Sequence, residues 1–577
     1  MLPDADTSSV LVRPCPDPRF GDYQTNSLMS LAKARKLNPR QLATDVLAQL
    51  DVSDLCSKVE IAGAGFLNFH LKTEALGAAL AGAARGEHLL FQKALVPRTV
   101  VVDFSSPNVA KPMHVGHIRS TVLGDCLARV LRLLGHRVVT DNHIGDWGTQ
   151  FGMLLLGWKR ELNREALEAD PTAEMERLYR KISAECKDTA ATLEAARAEL
   201  VKLQTGDPAN LAIWQEMQRL SQIQFDDIYG RLGIRFDHTL GESFYNPRLQ
   251  SVVDELLAAG IARESEGAIC VFSDGSLPPK EDPFLINRDG EWHPNPQLIQ
   301  KKDGAFNYAT TDLATIRYRI DAWKPDVILY VTDGRQQLHF HQLFATFRRW
   351  RPESRVRLEH IWFGSILGED GTPFKTRSGE TVRLAQLLSE AHQRALQVVS
   401  AKQLERAETD RVPEALWPEV ARVVGLGAIK YADLLPNRQS DYTFSWDKML
   451  ALNGNTAPYL QYAYARARSI FRKTDPAANR QAAVDPIVLA APAELALARQ
   501  LLKFGLVLEA VAEESRPNFL CNYLYELAGH FAGFYEACPV LKASGDERLS
   551  RLALCDLTAR VLRQGLEVLG IEVLEQM

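Results

Sequence analysis

Apolar positions change period along this chain, and the changes mark out its elements. Residues 99–102 read Thr-Val-Val-Val, a short β-branched run of the kind that forms a buried parallel strand. A helical pattern opens after it, roughly 117–134. Residues 136–142 are strand-like again, and the glycine-bounded stretch 145–152 opens a second helix. Helix and then strand return over 256–272, a helix over 308–323, and a strand over 326–331 that leads into another helix. Strands separated by helical patterns predict a parallel, doubly wound sheet across about 98–400. Residues 161–237 interrupt it as a long, charged, helical insertion. Residues 273–297 are proline-rich and read as an extended loop, and 300–305 as a hairpin turn. Ahead of the sheet, helical runs reach Leu31 and span 39–50, and 59–69 alternate about a glycine turn like a hairpin. From about 450 the pattern is helical to the end, broken at prolines 476, 486, 492, 517 and 539, which suits a helical bundle. The expected architecture is multidomain α/β. A small α/β domain covers 1–90, a Rossmann-like parallel-sheet domain 91–449, and an all-α bundle 450–577.

Composition narrows the class. A chain of 577 residues is too long for one core. It is 46% apolar and 24% charged, the balance of a soluble globular protein, with no run of 18 apolar residues to span a membrane. The start, MLPDADTSSV, shows no signal- or transit-peptide pattern. Eight scattered cysteines form no CxxC pair, which argues against structural zinc and fits a reducing cytosol. Net charge is −5, so any nucleic acid must be met by local basic faces.

The candidate chemistry lies between the first strand of the sheet and its helix, in DFSSPNVAKPMHVGHIRS, residues 103–120. A helix N-terminus after a parallel strand binds anions, because its first N–H groups lack partners and the dipole favours negative charge. His114 and His117 stand three apart at that terminus, so both imidazoles can face one phosphate. Gly116 leaves room there for a flat base. Asn142 and His143 fall at the carboxyl end of the next strand, and Asp333, Gly334, Arg335 and Gln336 at the end of strand 326–331, where such sheets bind ligands. Further on, Phe374-Lys375-Thr376-Arg377-Ser378-Gly379 is a basic loop suited to a departing pyrophosphate. In the bundle, Tyr459, Tyr462 and Tyr464 mix with Arg466, Arg468, Arg472 and Lys473, a combination fit for unpaired RNA bases.

The stretch PNVAKPMHVGHIRST resembles the ATP-binding signature of class I aminoacyl-tRNA synthetases, and the arginyl branch in particular. FGDYQ (20–24), GDWGTQFG (145–152), YATTD (308–312) and NTAPYLQY (455–462) resemble that branch too, in family order. The resemblance implies activation of L-arginine by ATP with Mg²⁺, giving arginyl-adenylate and pyrophosphate, and then transfer to the 3′ end of the arginine tRNA. It implies that the N-terminal domain contacts the tRNA D-loop and that activation needs bound tRNA. It assigns His114 and His117 to catalysis, with Lys111, Lys375 and Arg377 on the leaving pyrophosphate; ATP would also meet Asn108, Gly116, Gly334 and Phe374. Loop 374–379 stands where the family's KMSKS motif lies, with Thr376 in place of its second lysine, and Lys111 supplies the missing charge. Tyr308 and Asp312 would hold the guanidinium, and Asp103, Ser106, Asn108 and Gln336 the rest of the substrate. Asp103 keeps the charge of the glutamate some relatives carry, on a shorter side chain. Tyr459, Tyr462 and Arg466 would touch tRNA. The expected protein is a cytoplasmic monomer with no resident metal.

Three other readings share the histidine motif: a synthetase for cysteine or lysine, a small nucleotidyltransferase, and a non-catalytic RNA-binding paralogue. No zinc–thiolate cluster for cysteine is visible, the chain is long for a nucleotidyltransferase, and His114, His117 and Asp312 are all present. Nor is an editing domain visible, as suits a charged substrate that is discriminated at binding.

Overall fold

The computed structural model describes residues 10–374, 381–473 and 487–577. Strands β1 (Arg13–Pro14), β2 (Tyr23–Thr25), β3 (Cys56–Ala62) and β4 (Phe66–Leu71) form an antiparallel sheet in the order β1-β2-β4-β3. Helices α1 (Ser27–Ala34) and α2 (Pro39–Leu47) cover it, and Leu28, Ala32, Leu42, Ala43 and Leu67 make a small core of their own. Helix α3 (Thr73–Ala84) falls inside the 1–90 stretch but packs elsewhere. Its Leu76, Leu80 and Ala83 join the large core shared with the C-terminal bundle.

The central sheet is five-stranded and wholly parallel, built from β5 (Thr99–Phe104), β6 (Arg137–Asn142), β7 (His238–Thr239), β13 (Val327–Val331) and β14 (Arg357–His360) in the order β14-β13-β5-β6-β7. Successive side chains of a strand face opposite sides. Val100, Val102 and Phe104 therefore pack under α4 (Val115–Leu133), while Val101, Ile328 and Tyr330 pack under α11 (Leu249–Ala258), α12 (Tyr308–Trp323) and α13 (Gln337–Trp350). Between β6 and β7 the chain makes α5 (Gln150–Glu161), α6 (Arg164–Ala169), α7 (Pro171–Asp188), α8 (Ala190–Gln204) and α9 (Pro208–Leu232), and after β7 the short α10 (Glu242–Tyr245). An antiparallel set, β8 (Ala262–Ser265), β9 (Ala268–Val271) and β12 (Gln297–Gln300), with the hairpin β10 (Leu285–Arg288) and β11 (Glu291–Pro294), lies before α12. The proline-rich stretch therefore contains a hairpin as well as loop.

Beyond the sheet, β15 (Ile366–Leu367) pairs with β16 (Tyr442–Thr443) across α14 (Leu384–Leu404) and α15 (Trp417–Leu434). Among the described residues, the short α16 (Trp446–Met449), α17 (Ala457–Arg472) and helices Pro492–Leu502, Phe504–Glu514, Asn518–Ala537 and Gly545–Val568 follow. Among the described residues no helix is long and apolar enough to cross a membrane.

Candidate active site

Strand order reverses at β5: the chain steps through α4 to β6 on one side and later returns as β13 on the other. Ligands of such sheets sit outside the strand carboxyl ends at that switch, and the predicted residues converge there. The turn leaving β5 is strained. Ser105, Ser106 and Ala110 hold φ of 76°, 50° and 61°, a region unfavourable for residues with a side chain. Hydrogen bonds fix it there. The Ser105 amide donates to Ser120 Oγ (2.8 Å), the Ser106 amide to Asn142 Oδ1 (3.0 Å) and the Ala110 amide to Ser221 Oγ on α9 (2.9 Å).

His114 caps α4. Its Nδ1 accepts from the Gly116 amide (3.1 Å), and the His117 Nδ1 accepts from the His114 amide (3.0 Å). The two rings lie 4.0 Å apart between centroids. Any Cβ at Gly116 would meet the His114 ring at 2.9 Å, so the glycine makes room for the histidine cap as well as for a ligand. Burial pulls the His117 imidazole down to about 3, helped by the charge of His114. It lowers His114 too, with Arg335 and Lys111 adding repulsion. Both rings are thus neutral donors. With Nδ1 accepting, each carries its proton on Nε2. The Lys111 ammonium lies 5.1 Å from the Tyr179 ring centroid on α7. Asn108, exposed, bridges to Gly145, and Gly334 donates its amide to the Phe363 carbonyl (3.0 Å).

Lys375 and Arg377 lie outside the described residues, but both flanks of their loop are placed. Phe374 stacks on Phe444 (4.4 Å, 23°). After the loop, the Val115 amide donates to the Val382 carbonyl and the Leu384 amide to the Met113 carbonyl, each at 2.9 Å. Arg383 reaches Asp170 (3.3 Å) and Glu176 (3.2 Å) of the insertion.

On the other side of the switch lies an acidic cluster. Arg319, fully buried on α12, binds Asp103 (2.6 Å) and Asp141 (2.8 Å), the last pair in register between β5 and β6. Burial works against the Arg319 charge, yet the two carboxylates hold it protonated. Asp103, expected to meet the substrate directly, thus has Oδ2 engaged by Arg319 and Oδ1 accepting from the Ser106 hydroxyl (3.2 Å). Burial pushes the Asp141 carboxyl up, against the pull of Arg319. Tyr308 and Asp312 share a face of α12, and His339 of α13 joins them. Its Nε2 lies 2.6 Å from Asp312 Oδ2, and its ring is 4.7 Å from the exposed Tyr308 ring. Burial opposes ionisation of Asp312, but the His339 bond, with His143 and Arg319 nearby, keeps its carboxyl below the usual range. Glu242 on α10 goes the other way. Burial and the charges of Asp312 and Asp146 push it up to about 7, against the pull of His143. Gln336 is exposed in the turn before α13. Among the described residues no group of three or more His, Cys, Asp or Glu side chains is arranged to hold a metal.

Arg319, Glu242 and His339 were not among the residues expected from sequence. Arg319 stands seven after Asp312 and His339 three after Gln336, helical spacings that offered a signal. Glu242 offered none, since only folding brings α10 beside α12. In the bundle, Arg466 lies over Tyr462 (5.0 Å) and Tyr535 (5.8 Å), and Tyr459 is 5.7 Å from Tyr525. Arg468 and Arg472 instead bind Glu575 near the end of the chain, at its carboxylate (2.9 Å) and backbone carbonyl (2.6 Å).

Comparison with known proteins matches three family models along the chain: "Arginyl tRNA synthetase N terminal domain" over 1–71, "tRNA synthetases class I (R), catalytic domain" over 83–446 and "DALR anticodon binding domain" over 460–577. An arginine–tRNA ligase of Cellvibrio japonicus is 46% identical over 98% of this chain and 96% of its own length. One of Chromobacterium violaceum is 45% identical over 99% and 97%. Among solved structures, arginyl-tRNA synthetase from Plasmodium falciparum superposes with a TM-score of 0.80 at 27% identity, covering 98% of this chain and 95% of that one. The Thermus thermophilus enzyme does so with 0.78 at 25% identity, covering 98% and 96%.

Proposed function

The chain belongs to the class I arginyl-tRNA synthetases, and from that premise we propose how its own residues serve the reaction. An arginine carboxylate oxygen attacks the α-phosphorus of ATP; the bond to the β-phosphate oxygen breaks and pyrophosphate leaves with its electrons. The tRNA terminal hydroxyl then displaces AMP from the arginyl-adenylate. Positioning and electrostatics suffice, with no covalent enzyme intermediate.

The Nε2–H groups of His114 and His117 serve as donors to the phosphates, at the positive end of the α4 dipole. Lys111, Lys375 and Arg377 meet the charge growing on pyrophosphate, and Mg²⁺ arrives with the nucleotide as part of the substrate. Asn108, Gly116, Gly334 and Phe374 border the nucleotide. Asp312, Glu242 and Tyr308 receive the guanidinium, a planar fork that calls for paired carboxylate oxygens. Asp103, tied to Arg319 and Ser106, faces the α-ammonium, beside Ser106, Asn108 and Gln336. The observation that carries this reading is the pairing of a histidine-capped helix N-terminus with an acidic cluster on the two sides of one strand switch.

We extend the reading to tRNA. Tyr459, Tyr462 and Arg466, with Tyr525 and Tyr535, present a stacking and cationic face for anticodon-loop bases, while domain 1–90 meets the D-loop. Domains 91–449 and 450–577 divide catalysis from anticodon binding. All eight cysteines are free thiols, which suits work in a reducing cytosol, and we propose a monomer. ATP–pyrophosphate exchange with arginine, lysine or cysteine, with and without tRNA, tests the whole. Exchange specific to arginine is expected, and only when tRNA is present. No exchange with any of the three, even with tRNA, would overturn it.

A further inference from the structure

The carboxylate assigned to the guanidinium does not stand alone. Asp312 projects from α12 one turn after Tyr308, and a carboxylate on such a side chain turns freely about a broad two-fold torsion. A planar, forked cation gains its second hydrogen bond only if that plane is fixed. His339 Nε2 lies 2.6 Å from Asp312 Oδ2, in the short range of charge-assisted bonds, and engages one oxygen on one side. A carboxylate has about four lone-pair directions, so Oδ1 and part of Oδ2 stay open to a second donor. The same imidazole stands at 74° to the Tyr308 ring, 4.7 Å between centroids. One side chain therefore sets both the plane of the acid and the wall beside it. The support is rigid. Phe340, Leu343 and Phe347 bury α13, and Ala309, Leu313 and Ile316 bury α12, in one shared core.

We propose that His339 is a positioning residue for the substrate side chain: its bond to Asp312 and its contact with Tyr308 hold both in the arrangement a planar guanidinium needs. This rests on the reading of the pocket given above. His339 acts through its neighbours and takes no part in the chemical step. A lysine ammonium is a point charge that needs no planar partner, so the same arrangement contributes to preference for arginine over lysine.

The test compares His339→Leu, which loses the donor, with His339→Gln, which keeps an N–H of similar reach. Calorimetry measures arginine, lysine and ATP binding, and pyrophosphate exchange with tRNA supplies KM and kcat. For His339→Leu the arginine Kd and KM should rise on the order of tenfold or more, with kcat and ATP binding within about twofold of the parent and the arginine-over-lysine preference reduced. His339→Gln should return most of the affinity. An unchanged arginine Kd in His339→Leu would overturn the proposal. So would an equal loss of ATP binding, or failure of His339→Gln to restore affinity, both marks of a merely structural role. If the parent chain binds no arginine at all, the reading of the pocket falls and the proposal with it. Normal binding by the parent and by His339→Leu overturns this proposal alone.

Discussion

At His117, sequence and structure give different electrostatics for the same position. Two histidines at a phosphate site suggest positive charge, but burial takes His117 down to about 3 and the His114 amide occupies its Nδ1. It is a neutral ring that offers one Nε2–H. His117→Ala should therefore slow adenylate formation by the worth of one preorganised donor, about 2–4 kcal/mol in activation free energy. Single-turnover rates check this, and an unchanged rate removes the residue from the chemistry. The acids divide in the same way. Asp312 could be placed from its spacing to Tyr308, but the tie between Asp103 and Arg319 spans 216 residues of sequence, and no local pattern reports it.

Helix α4 shows how an element is fitted to its strand. Gly124 sits where any Cβ would overlap the buried Phe104 ring at the end of β5, so the helix lies close enough to aim its N-terminus across the strand ends. Gly124→Ala should destabilise by about 1–3 kcal/mol through overpacking. Gly529→Ala, in helix Asn518–Ala537 with nothing near its added methyl, should stabilise by up to about 1 kcal/mol, because alanine is the better helix former. Urea midpoints on the two variants decide; a loss no greater at 124 than at 529 would contradict the close fit. The element types were legible because periodicity is local: strand β5, helix α12 and the hairpin β3–β4 stand where the pattern put them. The hairpin β10–β11 was not, because prolines mask a strand signal at its edges.

Domains meet at buried polar groups. Lys430 of α15 donates to the Leu232 carbonyl at the end of α9 (2.6 Å) and to the Gly570 carbonyl (2.5 Å), so one ammonium joins the insertion, α15 and the C-terminal bundle. Asp22 of the N-terminal domain forms an ion pair with the partly exposed Arg499 of the bundle. Burial lowers Lys430 from 10.5 to about 8, although Asp125 pulls the other way. Below pH 8 both folded and unfolded chains carry the charge, and folding bears its full desolvation cost. Between pH 8 and 10.5 the unfolded chain binds more protons, so stability rises with pH. Relative to Lys430→Met, the parent should thus gain up to about 3 kcal/mol across that window. Denaturation of both at pH 8 and pH 10 tests it, and parallel profiles would count against the assignment.

The sequence by itself determined the order of elements, the switch-point loop with its two histidines, and the Tyr308–Asp312 face, because each depends on contacts a few residues apart. Tertiary structure alone decided that α3 packs with the bundle, that Arg319 holds Asp103, and that Glu242 and His339 join the pocket. Those contacts join segments far apart in sequence, and burial, which sets their charge states, is a property only the packed chain has.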